Sequence, residues 1–131
     1  MNDAIAKLMN SANKHIQAGR WIATYGNNLI FHEENGIPVP ETFLSREAAV
    51  TWMENELEKN MLIFKDRGID RYQIIEKNMA NGQPTYLLFE ARVRGIKVCL
   101  ALEKVTPENL PAVKKRYYQE AKQNMNRWHG I

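Results

Sequence analysis

The chain has 131 residues, 44% of them hydrophobic and 25% charged, with a net charge of +3 and one cysteine. That composition excludes a disordered chain, which would lack the apolar surface to offset its ordering entropy, and a lone cysteine excludes an internal disulfide. The apolar runs fall far short of the ~18 residues that span a bilayer, and the polar N-terminus carries no signal-peptide core, so a cytoplasmic location and a single α+β domain over residues 1–131 are expected.

Residues 2–18 read as a helix, because Ile5, Leu8, Met9, Ala12 and Ile16 recur at spacings of three and four and Gly19 can end it. The aromatic and β-branched stretch from Arg20 to Glu33 reads as a short hairpin about Gly26-Asn27-Asn28, residues that tolerate the positive φ of tight turns. Residues 34–44, with Gly36, Pro38 and Pro40, read as the longest loop. Ser45 then caps a second helix, whose stripe runs Ala49, Val50, Met53, Leu57, Met61 and Phe64 before Gly68 closes it.

Residues 71–104 read as a three-stranded meander. Asn81-Gly82 is a strong hairpin signal and Arg94-Gly95 supplies a second two-residue turn. Those turns set Val93 opposite Ile96, Ala91 opposite Val98, and Phe89 between Ile74 and Leu100 on an almost wholly apolar face. A slip of one residue would expose the whole set, so the pattern pins the register. The last helix is announced by Thr106-Pro107, with Asn109 as an alternative start because Pro111 has no N–H, and its stripe runs Leu110, Val113, Tyr117, Ala121, Met125, Trp128. The order is αββαβββα. It predicts an α+β fold with an antiparallel sheet of about five strands, the C-terminal meander among them, and helices packed on its apolar face.

No phosphate-binding glycine loop, dinucleotide fingerprint or zinc-ligand spacing occurs, and the three histidines lie in three different elements. No metal, cofactor or membrane partner is therefore expected. Cys99, mid-strand between Val98 and Leu100, reads as an inert thiol with no catalytic role. The carboxylate pair Glu54/Glu58 is explained by a solvated helix face.

The second face of the meander carries a sharper pattern. Ile75, Leu88 and Ala101 form one row, Gln73, Glu90 and Cys99 the next, and Arg71, Arg92 and Lys97 the third, with Arg94 in the adjoining turn. Like charges opposite one another across strands are destabilising by roughly 0.2–1 kcal/mol per pair, and forked guanidinium donors suit phosphate oxygens. The positive surplus also lies late in the chain, with five basic residues against two acidic ones in 106–131, among them Lys114, Lys115 and Arg116. These residues predict a small non-enzymatic binding or regulatory module for nucleic acid or another polyanion. A plainer reading has Glu90 and Asp70 neutralising a row whose long basic side chains discourage edge pairing. A rival function is a protein-interaction module or homodimer, using Ile75, Leu88 and Ala101 as its contact face.

Overall fold

The computed structural model describes residues 3–25, 28–65, 72–93 and 96–128, with side chains described throughout these segments except at 57, 58, 60–65, 72, 91–93, 96–98 and 126–128. Among the described residues three helices, α1 (Asp3–His15), α2 (Arg46–Lys65) and α3 (Leu110–Trp128), combine with eight strands. The strands are β1 (Trp21–Tyr25), β2 (Asn28–Leu29), β3 (Phe31–Glu34), β4 (Ile37–Pro40), β5 (Thr42–Phe43), β6 (Tyr72–Ala80), β7 (Gln83–Val93) and β8 (Ile96–Lys104). The α+β class and the C-terminal antiparallel meander are as the sequence predicts.

The main sheet runs β2-β1-β8-β7-β6, and β5 joins β2 along the outer edge of β1. β2 pairs with the end of β1 and β5 with its start. Between them Ala23 receives a hydrogen bond from the Ile30 N–H and donates to the Glu41 carbonyl, while the Glu41 N–H bonds to Ile30. The β3–β4 hairpin therefore projects from the sheet edge on two tied stems.

The meander register is the one expected. Val93 faces Ile96, Ala91 faces Val98, and Phe89 lies between Ile74 and Leu100. Asn81 (φ 52°) and Gly82 (φ 77°) both hold the positive φ of the tight turn joining β6 to β7. Pairing interrupts at Asn78, whose φ of 57° takes it out of extended geometry.

Residues 34–44 depart from the expected loop. They form the β3–β4 turn, all of β4 and β5. Asn35 (φ 53°) and Gly36 (φ 79°) build a second two-residue turn, closed by Glu34 opposite Ile37. In an antiparallel ladder closed this way, alternate pairs exchange hydrogen bonds, so Ile37 and Val39 point their amides at β3 while Pro38 and Pro40 point outward. The prolines thus occupy the positions where no ladder N–H is needed, and they blunt the outer edge of β4. The outward carbonyl of Pro38 accepts a 2.7 Å hydrogen bond from the Tyr117 hydroxyl.

Apolar residues pack on both faces of the sheet. On one face Trp21, Ala23, Leu87, Phe89, Leu100 and Leu102 meet Ala49 and Met53 of α2. On the other, Ile22 and Leu29 meet Leu8, Ala12 and Ile16 from the α1 region, Ile37 of β4, and Val113, Tyr117 and Ala121 of α3. The helix starts follow from local chemistry. The Ser45 hydroxyl accepts from the Ala48 N–H of α2. Thr106 and Asn109 cap one another reciprocally, the Asn109 N–H donating to the Thr106 hydroxyl and the Thr106 N–H to Asn109 Oδ1. The pair is a capping box with Thr106 as the cap, and the Leu110 N–H already bonds to the Thr106 carbonyl, so Pro107 takes the first helical position and Pro111 lies in the first turn of α3.

Candidate nucleic-acid interface

The backbone register sets Arg92 directly opposite Lys97 next to the β7–β8 turn. Alternation along the strands gives this pair the same sheet face as Glu90–Cys99 and Leu88–Ala101. The side chains of Arg92 and Lys97, and Arg71 and Arg94 altogether, lie outside the described residues. In the neighbouring row, Gln73 Nε2 donates to Glu90 Oε2 at 3.0 Å. Gln73 thereby engages the Glu90 carboxylate from the β6 side.

The basic residues of α3 occupy a different level. Glu120 accepts from the Leu29 N–H at 2.7 Å, and Leu29 is the partner of Thr24, itself the partner of Ala101. One turn earlier, Arg116 acts electrostatically on the Tyr86 phenol, whose pKa is raised by burial first and by Glu103 second. Tyr86 pairs with Glu103. From Glu103 to Lys97 is six strand steps, about 20 Å at ~3.3 Å per residue. Arg116 is further committed to Glu120, with Nε 2.7 Å from Oε2, and Lys114 Nζ donates to Asn13 Oδ1 at 3.0 Å. Lys115 is exposed. Arg116 therefore lies at the level of the Tyr86–Glu103 pair, about 20 Å along the strands from the backbone of the Arg92–Lys97 pair.

The row Ile75, Leu88, Ala101 is graded in exposure. Ala101 is buried, while Leu88 and Ile75 are half-buried towards β6, the terminal strand of the sheet. Ile74 and Met79 on β6 are exposed. Cys99 is half-buried.

One cluster escaped the sequence reading. His32 on β3 has both ring nitrogens 2.6 Å from carboxylate oxygens, Nε2 from Glu34 and Nδ1 from Glu41. Its pKa is raised, chiefly by the Glu34 hydrogen bond, and the Glu34 carboxyl is lowered in return. His15 on α1 is lowered by burial. The signal was the spacing His32-x-Glu34, which puts both side chains on one face of a strand, but only once 31–34 is read as a strand. Beside the cluster, a cleft of about 310 Å³ opens between α1, through Lys7 and Lys14, and the Glu34–Asn35 turn.

Among the described residues no group of His, Cys, Asp and Glu is placed to hold a metal ion, and no helix is long and apolar enough to cross a membrane. No family model, curated protein or solved structure matches this chain.

Proposed function

We propose that the protein is a small non-enzymatic module that binds nucleic acid or a related polyanion at the end of its meander. The observation that supports this most is the register pairing of Arg92 with Lys97, a like-charge pair that a phosphate group would relieve. Arg71 and Arg94 extend the site by their sequence positions. Lys115, exposed on α3, belongs to a second and weaker electrostatic patch together with Lys114 and Arg116. Binding in this reading is electrostatic and indifferent to sequence, because the contacts are to phosphates and not to base edges.

A second reading, a protein-interaction face or homodimer contact, is favoured by the half-buried Ile75 and Leu88 beside the terminal strand β6. Fluorescence anisotropy with short duplex DNA and single-stranded RNA, titrated across salt, separates the two. Polyanion binding gives an affinity that falls steeply and log-linearly with salt. No binding to either probe at low salt rejects the polyanion reading and leaves the protein-interaction one, for which sedimentation then reports the oligomeric state.

A further inference from the structure

We propose that His32 is a proton-operated latch on the β3–β4 hairpin. With its ring protonated it ties Glu34 at the hairpin tip to Glu41 at the hairpin base, and with its ring neutral it lets Glu34 go. The donor count of the imidazole ring separates the two states. A neutral imidazole carries one N–H, and its other nitrogen is an acceptor. Two ionised carboxylates at 2.6 Å from the two ring nitrogens therefore require the imidazolium, whose two N–H groups serve one each. Loss of one proton turns one contact into a lone pair facing a carboxylate.

Which arm releases follows from the backbone. Glu41 is fixed on both sides, its N–H bonded to Ile30 and its carbonyl to the Ala23 N–H. Glu34 is the last residue before the Asn35-Gly36 turn, at the free end of the hairpin. The charged groups around His32, Glu34 and His15 come from four segments of the chain. Glu34 belongs to β3 and Glu41 to the link between β4 and β5. Lys14 and His15 of α1, with Arg20 in the α1–β1 link, complete the set. The His32 side chain is 42% exposed, so solvent reaches the ring and proton exchange needs no opening of the core. Glu34 and Asn35 also wall the cleft against α1, so the state of the latch sets the shape of that wall.

The test is an NMR pH titration of the whole chain with the variants Glu34→Gln, Glu41→Gln and His32→Gln, reading the His32 ring shifts and the heteronuclear NOE of the Asn35 and Gly36 amides. Expected are a His32 midpoint above the ordinary imidazole value of about 6.5, lowered by either glutamine variant. The Asn35 and Gly36 NOE values fall as pH rises through that midpoint and stay low at every pH in His32→Gln. A His32 midpoint at or below about 6.5, a midpoint indifferent to Glu34→Gln and Glu41→Gln, or amide NOE values flat across the titration would each overturn the latch.

Discussion

Tyr117 shows how one side chain joins parts of the chain far apart in sequence. Its ring is fully buried against Phe31 and Tyr118, and its hydroxyl reaches Pro38 in β4, 79 residues away. Burial raises its pKa, so the phenol stays a donor through the neutral range. Tyr117→Phe keeps the ring and leaves the Pro38 carbonyl buried without that donor, which costs about 1–3 kcal/mol. The expected reading is a lower urea midpoint with an unchanged slope. The two histidines act on stability in opposite senses. His32, raised in the folded state, contributes stability that is full below its ordinary value and lost as pH rises through its folded value. His15, lowered by burial, contributes stability that is present above its ordinary value and lost as pH falls. The stability lost on His32→Gln should therefore be larger on the acid side of the titration than on the alkaline side, measured by denaturation at matched ionic strength. A loss that grows with pH would contradict the paired carboxylate geometry.

At the level of elements, the clearest contrast lies between the two hairpins that turn on Asn-Gly. The Asn81-Gly82 turn was readable because long alternating strands flank it. The same dipeptide at Asn35-Gly36 was masked by Pro38 and Pro40, which in a central strand would remove ladder bonds. They are tolerated because a two-residue turn puts them at the pairs that exchange no hydrogen bond, a fact about register that no composition reveals. Gly36→Ala tests the turn directly. Nothing lies within 4 Å of the added Cβ, so the cost is the backbone conformation alone, about 1–2 kcal/mol in a denaturant titration. The helix stripes were legible for a different reason, since burial at Leu8, Ala12, Met53, Val113, Tyr117 and Ala121 follows helical spacing. The stripe on α1 is narrower than its sequence suggests. Ile5 and Met9 are exposed and line a small apolar cleft with Tyr118 and Lys122.

Across the whole molecule, the sheet is packed on both faces near β1 and β8, while β6 at its end carries the exposed Ile74 and Met79 and the half-buried Ile75. The apolar row on the second face of the meander calls for a cover, from the N-terminal elements or a second subunit, but the identity of the layer, α1, α3 and the β3–β4 hairpin, is set by tertiary contacts. Their docking depends on contacts such as Leu29 with Glu120, 91 residues apart. The candidate site was legible where it rests on register, at Arg92 and Lys97. It was not legible where it rests on tertiary placement, at Lys114, whose partner Asn13 lies 101 residues away, whereas Arg116 and Glu120 form an ordinary i,i+4 helix pair. In the function we propose, nucleic acid meets the sheet end at the Arg92–Lys97 pair. The most direct measurement is the salt dependence of nucleic-acid affinity for the wild-type chain and for the double variant Arg92→Ala/Lys97→Ala, with the denaturation midpoint of each as a control. Alanine at both positions should weaken binding, make the log–log salt slope shallower by up to about two units, one per lost phosphate contact, and leave the fold unaltered. An unchanged slope in a folded double variant would contradict it.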